Sequence, residues 1–157
     1  MSEIVEHYFD NAKKELRRAD HLFFVSLKYT RTVDVLKSLV MRLISSFHSA
    51  NQALLQKVQE TGEIEELPEL PRIIVDKVKT CYANENLSNY LDLYLLLRRI
   101  DRAEFERARE FRRHVTMTAF VDDEKIEITI DIAFDYYTKT KEYLNQVRQI
   151  LYGKDED

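Results

Sequence analysis

The stretch Val33–Leu55, VDVLKSLVMRLISSFHSANQALL, decides the fold. Its apolar residues Val33, Leu36, Val40, Leu43, Phe47, Ala50 and Leu54 step by three and four, laying one stripe along a long helix. Asp34, Lys37, Arg42 and His48 cut the stretch, so it offers no uncharged run long enough to span a membrane. Gly62 stands where a left-handed residue can close the helix. Upstream, Val5, Phe9, Ala12, Leu16, Ala19 and Phe23 repeat the stepping from Ser2, a candidate N-cap, to about Val25. Only SLKYTR separates the two patterns, so residues 1–60 are expected to form an antiparallel helical hairpin.

Downstream, TGEIEELPELP holds Gly62, Pro68 and Pro71 and reads as a linker loop over residues 61–71. Helices are expected over 72–113. Pro71 suits the first turn of one that carries Ile74, Val78 and Cys81, and Leu87, Tyr90, Tyr94, Leu97 and Ile100 mark the next. Asp101 and Glu104 are spaced as a capping box for a further helical piece, DRAEFERAREFRR. The period then falls to two. Val115, Met117 and Ala119, then Ile126, Ile128 and Ile130, alternate around VDDEK and predict a β-hairpin within 114–131. A final helix over 132–152 follows, with Ala133, Tyr137, Thr140, Leu144, Val147 and Leu151 on one face, ended by Gly153 and an acidic tail, Asp155, Glu156 and Asp157. The expected fold is a single all-α domain: an antiparallel bundle of about four to six helices with a small hairpin insert before the last, and strand confined to about 114–131.

A chain of 157 residues, 45% hydrophobic and 33% charged, suits one domain with its own core. Two glycines cannot build the glycine-rich phosphate cradles of dinucleotide-binding or P-loop enzymes, and the pattern implies no cofactor. A single cysteine excludes an intramolecular disulfide and a cysteine zinc cluster, and the start lacks a secretory layout, so a reducing cytoplasm is the expected compartment. Cys81 reads as a small buried residue. Glu3 and His7 form the one neat i, i+4 pair of metal-ligating types, and a solvated first turn explains them, so no metal site is expected.

The net charge of −4 hides a basic segment. Residues 98–114 carry seven arginines, Arg98, Arg99, Arg102, Arg107, Arg109, Arg112 and Arg113, against four acids. Guanidinium favours paired contacts to phosphate or carboxylate, which makes Arg102, Arg112 and Arg113 candidate nucleic-acid contacts. Asp101, Glu104, Glu106 and Glu110 could instead pair with these arginines along a solvated helix. The aromatic pairs Tyr90 and Tyr94, Tyr136 and Tyr137, and Phe105 and Phe111 read as core. Leu22, Phe24, Leu39, Met41 and Ile44 exceed a single stripe and predict a covered apolar face, hence a homodimer.

Three parts of the chain resemble the HEPN domain, a helical family of prokaryotic toxin–antitoxin and nucleic-acid defence systems. AKKELRRADHLFFVSLKYTRTVDVLKSLVMRLISSFHSANQALLQK is similar to the family's opening hairpin, with Ala12, Leu16, Ala19 and Leu22, Tyr29 at the turn, and Ala50 and Ala53-Leu54-Leu55 closing it. REFRRH, Arg109 to His114, fits the family's R-x4-6-H signature, and Arg107 to His114 fits the longer form. YLNQVRQIL is similar to its last amphipathic helix. The resemblance implies a homodimer whose Arg and His line one cleft and, in active members, a metal-independent ribonuclease. His114 would then be the general acid or base, and Arg109 or Arg107 would stabilise charge on the phosphate.

The sequence departs from that pattern where Glu110 follows Arg109 in place of a small polar residue. In a continuous helix Arg109 and His114 would also diverge by about 140°, whereas Arg107 and His114 would share a face. The leading expectation is therefore a dimeric HEPN-like binding module for RNA or a companion antitoxin protein. A HEPN-type ribonuclease and a purely structural protein-interaction bundle are the alternatives.

Overall fold

A computed structural model describes residues 1–153 of the chain; the acidic tail Asp155, Glu156 and Asp157 lies outside the described residues. Helix α1 (Glu3–His21) starts where Ser2 accepts a hydrogen bond from the Val5 amide at 3.1 Å, as its N-cap position predicts. It does not stop at Val25. The chain widens into a π-helical turn (Leu22–Ser26) and a last helical turn (Leu27–Tyr29), so most of SLKYTR is helical and the reversal is confined to residues 30–32. Helix α2 (Val33–Glu60) begins on Thr32, whose hydroxyl accepts from the Val35 amide at 3.3 Å. All seven stripe residues of α2 are buried.

Helices α1 and α2 run antiparallel and are joined by polar contacts along their length. Asn11 donates to Ser49 at 2.6 Å, Ser46 donates to the Ala12 carbonyl at 2.8 Å, and Ser2 donates to Glu60 at 2.7 Å. Gly62 closes α2 at φ +87, its amide bonded to the Gln59 carbonyl at 3.0 Å, in the left-handed conformation for which glycine carries no penalty. Helix α3 (Pro71–Cys81) has proline in its first turn, and α4 (Ser88–Arg102) and α5 (Ile130–Tyr152) complete the bundle. Ala133, Tyr137, Thr140, Leu144, Val147 and Leu151 of α5 are all buried. Phe47 lies at the centre, its ring centroid 4.9 Å from that of Tyr143 and 5.6 Å from that of Tyr94. No helix of the described residues is long and apolar enough to cross a membrane.

The segment after α4 overturns one expectation. Residues 103–108 do not continue the helix. Ala103 is extended, and strand β1 (Glu104–Ala108) pairs antiparallel with β2 (Thr116–Val121), which pairs with β3 (Glu124–Ile128) across an Asp122–Asp123 turn. The VDDEK hairpin stands, but strand is not confined to 114–131, and the helices expected over 72–113 end at Arg102. Helices account for 68% of the described residues, so the architecture is a helical bundle carrying a three-stranded sheet, not a purely all-α one.

The physical reason is pairing. Glu, Arg and Ala in EFERA are good helix formers, but the outer edge of β2 offers a row of backbone groups that a strand satisfies. Phe105 then packs opposite Ala119, with the Lys37 ammonium 5.7 Å from its ring centroid. Glu104 and Glu106 of β1 face water on an edge strand, where charge discourages unwanted strand addition.

The surplus apolar residues of the hairpin also resolve differently. Leu39 and Ile44 are buried within the chain itself, Leu22 is half-buried, and only Phe24 and Met41 are exposed. Cys81 is half-buried.

Candidate functional site

The β1–β2 connection, residues 109–115, holds most of the predicted site residues. Its backbone is pinned to the start of α2. The Phe111 amide donates to the Arg31 carbonyl at 2.6 Å, and the Glu110 carboxylate accepts from the Val33 amide at 2.9 Å. Glu110 therefore serves as the anion that a helix N-terminus favours. This gives the departure at position 110 a structural reason: the carboxylate turns inward and does not face whatever approaches the arginines.

Arg107 is committed to the same clamp. The register Arg107↔Met117↔Ile128 places it on the sheet face toward the helices, and its guanidinium meets Asp34 at 2.9 Å and Glu110 at 3.6 Å. The hydrogen bond to Asp34 pushes its pKa further above the ordinary arginine value. These contacts link Arg107 to the start of α2 and to the β1–β2 connection.

Arg109, Arg112, Arg113 and His114 are exposed, and none of them makes an ion pair with a described residue. The helix expected between Arg109 and His114 is replaced by a turn, so the 140° divergence does not apply. Arg109 and Phe111 both adopt left-handed backbone, φ +56 and φ +66, which non-glycine residues seldom take outside sites that hold them there.

Phe111 is the residue that sequence reasoning misplaced. It is 75% exposed rather than core, and Tyr29, two residues before the carbonyl that anchors it, is 80% exposed. Neither ring packs on another ring of the described residues. Phe111 had one legible signal: in RAREFRRH it is the sole large apolar residue, with only the small Ala108 at helical spacing inside that run. The other aromatics read as core are buried or half-buried: Tyr94, Tyr136 and Tyr137 buried, Tyr90 and Phe105 half-buried.

Arg102 does not join this corner. It ends α4 at the opposite end of β1, and lines a separate groove with Arg72, Arg98 and Arg99. His48, which shares a neighbouring concavity with Arg98, is half-buried, its Nδ1 3.3 Å from the Tyr94 hydroxyl. Burial first, and then the charge of Arg98, hold the His48 pKa below its ordinary 6.5. The unfolded chain therefore takes up a proton before the folded one does, so the stability His48 permits is complete above pH 6.5 and is lost as pH falls toward the folded value. Denaturant unfolding at pH 7 and pH 5 is expected to show a smaller acid loss for His48→Gln than for the parent chain. An equal loss would show that His48 is indifferent to its proton.

Glu3 and His7 are both exposed on the first turns of α1, the solvated arrangement their spacing suggests. Comparison of the chain with protein-family models, with characterised proteins and with solved structures finds no match.

Proposed function

We propose that this chain is a noncatalytic binding module for single-stranded RNA, with the corner formed by Tyr29 and the β1–β2 connection as its contact surface. The observation that carries the reading is two aromatic rings, 75% and 80% exposed, tied to one corner by the Phe111–Arg31 backbone bond and flanked by unpaired arginines. Splayed bases stack on such rings whatever their identity, while Arg109, Arg112 and Arg113 take the phosphates. Lys28 and Arg31 add charge from the neighbouring segment. The nearby acids have partners of their own, Asp34 meeting Arg107 and Glu110 accepting from the Val33 amide.

Self-association belongs to the same reading. The π-helical turn leaves Phe24 and Val25 outward, Phe24 with its ring centroid 6.5 Å from that of Phe134, and the three are 41–49% exposed. Such a patch supports the homodimer that the HEPN resemblance implies.

The test is binding of a fluorescent oligouridylate to the full chain across a salt series, with sedimentation of the complex giving its stoichiometry. Affinity is expected to fall as salt rises, and Arg112→Ala with Arg113→Ala to reduce the slope by about 0.7 for each phosphate that is no longer neutralised. No binding at low salt, or a slope indifferent to both substitutions, overturns the proposal. Cleavage of the RNA in the presence of a chelator, abolished in His114→Ala, would replace the noncatalytic reading with the ribonuclease.

A further inference from the structure

The groove between α3 and α4 stands apart from the RNA corner. Arg72, on the first turn of α3, and Arg98, Arg99 and Arg102, on the last turns of α4, line a concavity of about 610 Å³ whose remaining wall is Leu70, Pro71, Leu95 and Asp92. Four arginines line this one groove in a chain of net charge −4. The one carboxylate among the lining residues, Asp92, pairs with Lys79 at 2.9 Å. Arg99 reaches Asp122 at 3.6 Å between two exposed side chains, a contact of little strength, and Arg72, Arg98 and Arg102 make no ion pair with a described residue.

Arg98 is set in place before any ligand arrives. Its guanidinium carbon lies 5.8 Å from the Tyr94 ring centroid, and its Nε is sealed from solvent without a hydrogen-bond partner. Arg98 and Arg102 are one helical turn apart, so both point along the same side of α4, with Leu95 one turn below Arg98. Like charges so grouped repel one another, and an anion that spans them relieves that cost.

We infer that this groove binds a small phosphate-bearing molecule, its phosphate against Arg72, Arg98 and Arg102 and its apolar body on Leu70 and Leu95. Phosphate matches guanidinium in paired geometry and carries more charge than a carboxylate. The size of the groove falls in the small-molecule range, about 300–1,000 Å³, and its apolar wall suits a compact hydrophobic body. No aromatic side chain lines the groove, so it lacks the stacking surface that single-stranded RNA uses.

The test is calorimetric titration of the full chain with 1-naphthyl phosphate, and separately with its two halves, inorganic phosphate and 1-naphthol. Naphthyl phosphate is expected to saturate one site per chain, about tenfold or more tighter than either half. Arg72→Gln with Arg102→Gln, both at exposed positions, is expected to weaken it by about tenfold or more, and Arg98→Lys to weaken it although the charge is kept. Arg112→Ala with Arg113→Ala is expected to leave it unchanged, which separates this site from the RNA corner. Absence of saturation, naphthol binding as tightly as its phosphate, or indifference to the Arg72 and Arg102 substitutions overturns the inference. So does an Arg72 and Arg102 variant that loses oligouridylate affinity but keeps naphthyl phosphate, since the groove would then belong to the RNA path.

Discussion

Exchanging Phe111 for glycine is expected to weaken oligouridylate binding by about 10- to 100-fold, the yield of one base stacked on an aromatic ring, while leaving the chain as stable as before or slightly more so. The two effects have separate origins. The ring is 75% exposed and stacks on nothing within the described residues, so its removal opens no cavity. Its backbone sits at φ +66, where a side chain with a Cβ is strained by about 1–2 kcal/mol and glycine is not. The greater freedom of glycine in the unfolded chain offsets part of that gain, so the expected net change lies between zero and about +1 kcal/mol. Fluorescence anisotropy reads the first effect and urea unfolding the second. A stability loss above about 2 kcal/mol would show that the ring is a packing element, and unchanged affinity would show that bases do not meet it.

Phe47→Ala is expected to act in the opposite sense, costing about 3–5 kcal/mol and lowering Tm by roughly 10–15 °C, which is a large part of the stability of a domain this size. Phe47 is fully buried on α2, between Tyr94 of α4 and Tyr143 of α5, so its ring is the point at which three helices agree on their spacing. The cavity cannot close easily. Tyr143 is held by donating its hydroxyl to the buried Asn51 Oδ1, and burial drives its pKa well above the ordinary tyrosine value, so it stays a neutral donor. Asn51 Nδ2 already lacks a partner, which leaves no polar slack with which to rearrange. Thermal unfolding followed by circular dichroism measures the effect. A loss below about 1 kcal/mol would mean that the tyrosines collapse into the space.

The three-four stepping from Val33 to Leu54 determined the long helix by itself, because a helix 28 residues long has to bury a continuous stripe whatever packs on it. The same holds for the period-two run around Asp122–Asp123 and for the stripe of α5, and those elements stand where the spacing puts them. EFERA was different. Its local preference is helical, and it became a strand because an unpaired edge of β2 lay within reach, a fact about partners some ten residues away that no local pattern contains. That one pairing redistributed the arginine segment: Arg107 into an ion pair with Asp34, Glu110 onto the start of α2, and Phe111 outward. Composition announced that guanidinium was concentrated here. Which of those charges are neutralised and which remain free depends on side chains brought together across the fold, because a charge is silenced by whatever lies within a few ångströms of it and not by its neighbours along the chain.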